Sequence, residues 1–81
     1  MQQHRLSEAK YGALLRLTKV DRPNNAHVLR LCELGLVPGA LLEIARDTTL
    51  AMPLLILVNG TQLCIERSLA ANFWVEVGAQ Q

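Results

Sequence analysis

Apolar and polar residues change rhythm several times along this chain, and each change marks an element. Leu15 and Leu17 alternate with Arg16 and Thr18, and Thr18 and Val20 are β-branched. Residues 13–20 therefore read as a half-buried strand. The cluster Asp21-Arg22-Pro23-Asn24-Asn25 is a turn. Over residues 26–34 the period lengthens. Val28, Leu31 and Cys32 fall at helical spacing and share one face, and Asn24 or Asn25 is placed to cap the first N–H groups. Gly35 stands where a left-handed residue ends a helix, and Leu36 follows as the apolar residue that folds back on Leu31 or Cys32. Pro38-Gly39 then turns the chain. Alternation returns over residues 40–46, with Leu42 and Ile44 on one face. Residues 54–58 are aliphatic at every position. Asn59-Gly60 suits a type I′ hairpin turn, which needs positive φ at both central residues. Residues 61–66 form the return strand, with Leu63 and Ile65 on one face. Residues 67–72 accommodate one helical turn. Residues 73–77 close the pattern, with Phe73, Val75 and Val77 opposite Trp74 and Glu76.

The sum is a mainly β fold of about five short strands, with one short α-helix between the first two. Closely spaced short strands in a small domain favour a closed or nearly closed barrel, which removes exposed edges. Residues 1–12 are polar and mixed. Ser7 can cap a turn through Lys10, which Gly12 ends, so this stretch is expected to be a loosely ordered lead-in to a barrel core over residues 13–77. A length of 81 residues allows a single domain.

Composition adds one tension to this picture. The hydrophobic fraction is 51% and the mean hydropathy +0.21, above the roughly 45–50% apolar content of an ordinary domain. The excess points to a very full core or to apolar surface that a partner covers. It also leaves room for weak self-association into a homo-oligomer. The net charge is +1, aromatic residues make up 4%, and no basic tract is present, which argues against nucleic acid. The longest apolar run, residues 50–58, contains Pro53 and is less than half of the roughly 20 residues that cross a bilayer. The polar N-terminus carries no apolar leader core. The reading is a cytoplasmic protein that meets a membrane only through a partner, with Cys32 and Cys64 as reduced thiols.

Candidate chemistry is sparse. His4 and His27 have no nucleophile beside them in a known arrangement, so the chain does not read as an enzyme. His27 and Cys32 would point about 140° apart on a helix. Cys64 could approach Cys32, but two thiols leave a zinc shell incomplete. Neither a metal nor a cofactor is expected. Gly35 and Gly39 follow a helix and do not open one, so they serve turns and not phosphates. The apolar surplus remains. A small barrel buries alternate residues of a strand, yet residues 54–58 are aliphatic throughout. Either the helix or the termini cover the second face, or it forms a docking surface with the preceding corner. The candidate partner-binding residues are Leu50, Met52, Leu54 and Leu55.

The segment Arg30-Leu31-Cys32-Glu33-Leu34-Gly35-Leu36-Val37-Pro38-Gly39 resembles the signature of the FeoA family. That signature reads as Arg-Leu, two variable residues, Leu-Gly-Leu, one variable residue and Pro-Gly. Leu31, Leu34, Gly35, Leu36, Pro38 and Gly39 are its structural positions here. Pro53-Leu54 through Val58, Asn59-Gly60 and Leu63 through Arg67 resemble the family's Pro-Leu strand, turn and return strand. Ala70 or Ala71 with Phe73 and Val75 resembles its closing strand. The likeness covers roughly residues 12–77. It implies an SH3-like β-barrel and a role in bacterial ferrous iron transport, as an accessory protein that binds and regulates the cytosolic GTP-binding part of the FeoB permease. One departure concerns the loop before Pro53, where Thr48-Thr49-Leu50-Ala51-Met52 is more apolar than the family's usual Gly-Asp type. The same barrel occurs as the C-terminal domain of DtxR-type repressors, which makes a metal-responsive domain the alternative.

Overall fold

The computed structural model describes residues 3–46 and 52–77. Six strands form one antiparallel sheet: β1 His4–Arg5, β2 Leu14–Val20, β3 Leu41–Ile44, β4 Leu54–Val58, β5 Thr61–Ile65 and β6 Phe73–Val77. Their spatial order is β1-β6-β2-β3-β4-β5. Helix α1, Ala26–Glu33, joins β2 to β3, and the single turn α2, Arg67–Ala70, joins β5 to β6. The mainly β architecture agrees with the sequence pattern. Hydrogen bonding does not close the sheet, however. β1 and β5 are its two edges.

The largest departure from the sequence pattern is at the N-terminus. Within the stretch expected to be a loose lead-in, His4–Arg5 adds a sixth strand, paired with Val75 and Trp74 of β6. The 3-10 turn Leu6–Glu8 follows, and Leu6 is fully buried in the core. A lone leucine among polar neighbours carries no periodicity, so its role as a plug is invisible to pattern reading.

Alternation along β2 is broken once, with a useful result. Leu17 pairs with Val75, but Lys19 pairs with Trp74, so Thr18 is an extra residue in a β-bulge. Without it Lys19 would share the inward face of Leu15 and Leu17. With it Val20 packs against the core instead. The Thr18 hydroxyl donates to the Trp74 carbonyl at 3.1 Å.

Helix α1 is set by its ends. The Asn25 side chain accepts from the His27 and Val28 N–H groups at 2.9 and 3.2 Å, a standard N-cap. Leu36 N–H reaches the Leu31 carbonyl and Gly35 N–H the Cys32 carbonyl, the paired bonds of a Schellman ending. Gly35 has φ +117°, and Leu36 is fully buried. The Pro38-Gly39 turn is stitched to β2. Gly39 N–H donates to the Leu17 carbonyl at 2.7 Å, and Leu17 N–H to the Ala40 carbonyl at 2.9 Å. At the other tight turn Asn59 and Gly60 have φ of 53° and 75°, the two positive values that type I′ requires.

The core lies on one face of the sheet, under α1 and the 3-10 turn. Leu15, Leu17, Leu42, Ile44, Leu54, Ile56, Ile65, Phe73 and Val75 point into it from the strands, joined by Leu6, Val28, Leu36 and Ala70. Val77, expected on this face, is 46% exposed at the end of its strand.

Candidate interaction surface

The corner that the sequence nominated is only partly on the surface. Leu50 lies outside the described residues. Met52 is 39% exposed, whereas Leu54 is 1% exposed and faces the core, so it offers nothing to a partner. Leu54 is buried because β4 alternates regularly: Leu54, Ile56 and Val58 are buried, and Leu55 and Leu57 are half-buried on the outer face. The outer pair is flanked by polar neighbours. Leu57 stands between Glu43 and Gln62, and Leu55 pairs with Cys64.

The corner itself is pinned by a residue the sequence did not single out. Arg67, at the start of α2, donates from Nε to the Met52 carbonyl at 3.0 Å and from Nη1 to the Ser7 carbonyl at 2.8 Å. One guanidinium thus joins the N-terminal turn, the approach to β4 and α2. Its planar fork suits several acceptors at once. Nothing in a sequence marks an arginine whose partners are carbonyls far away in the chain.

The helix-turn motif divides in the same way. Leu31 and Leu36 are buried, while Leu34 and Val37 are 42% and 43% exposed. Gly35 has a second duty beyond its backbone angle. A Cβ there would lie 2.6 Å from Asn59 Nδ2. The tip of the β4–β5 hairpin therefore rests on the end of α1, and any side chain at position 35 would have to push the Asn59 amide aside.

A cleft of about 520 Å³ opens between α1, the end of β5 and α2. Leu31, Ile65 and Leu69 supply apolar wall, and Asn25, His27, Cys64 and Glu66 supply polar groups. The walls bring Cys64 and His27 to the same cleft, a neighbourhood the sequence did not foresee. Among the described residues no three of His, Cys, Asp and Glu gather closely enough to hold a metal ion. Both cysteines are free thiols, Cys32 half-buried and Cys64 exposed. Burial pushes the Cys32 thiol above its usual range, and the Glu33 carboxylate adds to the rise. Less thiolate forms there, and Cys32 is also the less exposed of the two thiols. A second opening of about 440 Å³ lies beside the N-terminal turn, against His4, Glu8, Lys10 and Val77. No described helix is long and apolar enough to cross a membrane.

Comparison with known proteins places this architecture. The model of the FeoA domain matches residues 4–77, including the N-terminal strand that the sequence motifs alone left out. The solution structure of a FeoA protein from Chlorobium tepidum is 36% identical, with a TM-score of 0.80, covering 93% of this chain and 70% of that one. FeoA from Stenotrophomonas maltophilia, solved with zinc, is 29% identical, with a TM-score of 0.75, covering 89% of this chain and 88% of that one. That protein is described as an SH3 domain protein and put forward as a bacterial ferrous iron transport activating factor. The manganese regulator SloR shares the fold at 20% identity and a TM-score of 0.72, over 93% of this chain but 34% of its own. No curated protein sequence matches.

Proposed function

This chain belongs to the FeoA family, and from that premise we propose that it is a cytoplasmic accessory protein of ferrous iron transport that binds and regulates the cytosolic GTP-binding part of a FeoB-type permease. The family match over residues 4–77 carries the reading. The surface is consistent with an adaptor. Leu29, Leu34, Val37, Leu41 and Met52 are all between 39% and 48% exposed, apolar side chains that a partner could cover. The chemistry fits binding better than turnover, because the titratable side chains of the described residues are spread over the surface without a nucleophile and base in contact.

Co-precipitation tests the reading. The purified chain, under reducing conditions, is mixed with the cytosolic domain of the permease in the presence and absence of GTP. Retention in either state is the expected result, and absence of retention in both removes the direct-binding form of the proposal.

A metal-responsive domain is the second reading. Its support is the placement of Cys64 and His27 on one cleft and the fold shared with SloR. Anaerobic calorimetry with ferrous iron separates the two. One-to-one binding lost in Cys64→Ala favours the second reading, and absence of heat favours the first.

A further inference from the structure

The two edges of the sheet are finished differently. β1 is two residues long. β5 is five residues long, and its sequence Thr-Gln-Leu-Cys-Ile contains no Lys, Pro or other charge. Those are the devices that usually blunt an exposed edge.

The register fixes which backbone groups of β5 are open. Ala45 N–H donates to the Leu55 carbonyl at 2.7 Å, so Leu55 turns its backbone toward β3, and its neighbours Leu54 and Ile56 turn theirs toward β5. Their partners are Ile65 and Leu63. In an antiparallel pair such positions exchange both bonds, and the residues between them point the opposite way. The N–H and C=O of Gln62 and Cys64 therefore point away from the sheet. Among the described residues no backbone group meets them.

This open edge adjoins the cleft between α1 and α2. Cys64 and Ile65 line it from the strand, with Leu31 and Leu69 as apolar wall. Glu66, just past the strand, is its carboxylate, and no Lys or Arg lines it.

We propose that β5 and this cleft form a strand-addition site for an extended protein segment, in which an apolar residue is flanked by a lysine or arginine. The segment pairs antiparallel with β5, like every other strand in the sheet. It takes four backbone bonds from Gln62 and Cys64. Its side chains opposite Leu63 and Ile65 fall on the core side, over the cleft, and its cation meets Glu66. Main-chain bonds supply affinity and the cleft supplies selection, as in other strand-addition grooves. The inference deepens the permease-binding reading by naming the surface, and the segment belongs to the partner under that reading.

The probe is a capped hexapeptide of alternating valine and lysine, added to the full chain. Amide exchange is followed by NMR. The Gln62 and Cys64 amides are expected to gain about tenfold protection, while Leu63, already bonded to Ile56, changes little. The peptide N-methylated at every backbone amide, which has no backbone donors, is expected to give none. Cys64→Pro removes an outward N–H without touching the β4 ladder, and should lose the peptide while keeping the fold. Glu66→Lys should weaken it several-fold. If Cys64→Pro does not fold, the two peptides on the unaltered chain still decide. Equal protection by both peptides overturns the proposal. So does protection at Gln62 and Cys64 that rises with protein concentration alone, since the occupant is then a second copy. Peptide binding without retention of the permease domain keeps this site and defeats the functional reading. Equal retention of that domain by the unaltered chain and Cys64→Pro keeps the functional reading and defeats this site.

Discussion

The β1 and β5 edges of this sheet are opposites in every respect except position. At the β1 edge Arg5, Lys19, Asp21 and Trp74 form one linked polar cluster. Trp74 lies under the Arg5 guanidinium at 4.4 Å and the Lys19 ammonium at 5.4 Å, and its indole N–H donates to Asp21 at 3.0 Å. Asp21 in turn faces Arg5 at 3.6 Å and Lys19 at 3.9 Å. Arg5 also reaches the Ala71 carbonyl at 2.7 Å. A two-residue strand is held there by side chains, because two residues of ladder could not hold themselves. At the β5 edge a longer strand is held by its ladder to β4 and by Ile65 in the core, and among the described residues no backbone group meets its outward groups. A short latched edge closes a small fold, and a long bare one keeps it available.

The sharpest way to break this contrast is proline scanning along β5. Leu63→Pro deletes a donor inside the ladder and should destabilise by about 3 kcal/mol or more, enough to unfold much of the population in urea titrations. Cys64→Pro, one residue away, deletes an outward donor and should cost under about 1 kcal/mol. Similar costs at the two positions would show that the assigned edge polarity is wrong. Next in size is Leu6→Ala, which empties a fully buried site at the latched edge. A loss of about 2–5 kcal/mol is expected, read from the same titration. A loss below about 1 kcal/mol would mean the N-terminal turn is not part of the core.

Glycine replacements sharpen the picture between the edges. Gly35→Ala meets both an unfavourable φ and the Asn59 side chain, whereas Gly39→Ala, at φ +94°, meets nothing within 4 Å. Both should destabilise, by about 1–3 kcal/mol, with Gly35→Ala the worse. Trimming Asn59 to Gly should bring the two closer together in thermal unfolding. The smallest effect is Asp21→Asn. Its ion pairs are 36–62% exposed on their side chains and screened, and the amide can still accept from Trp74. A change under about 1 kcal/mol is expected, shrinking further in about 0.5 M salt.

The sequence was most informative where structure is built locally. The Asn25 cap, the Gly35-Leu36 ending and the Asn59-Gly60 turn are all encoded within a few residues, and each is where the pattern placed it. It was least informative where a role depends on residues far off. Leu6, Arg67 and Trp74 act through partners more than 50 residues away or through a core assembled from the whole chain, and no window of sequence contains both members. Leu54 was misplaced in the docking corner for a related reason. The five aliphatic residues 54–58 show that a strand is rich in leucine, but the pleat decides which of them faces out, and it turns Leu54 inward. The β5 edge was not legible, because strand count points only to a closed or nearly closed barrel, and an edge is a property of neighbours that a sequence does not record.

The contact between Gly35 and Asn59 bears on how such a protein can change over time. The ten-residue motif looks self-contained, but one of its positions is held by a hairpin tip 24 residues later, in a different element. A larger residue at position 35 is then accommodated only if the Asn59 side chain moves aside. Residues 30–39 grafted into another small barrel would carry the helix ending with them, and would still need a slender side chain waiting at the far turn.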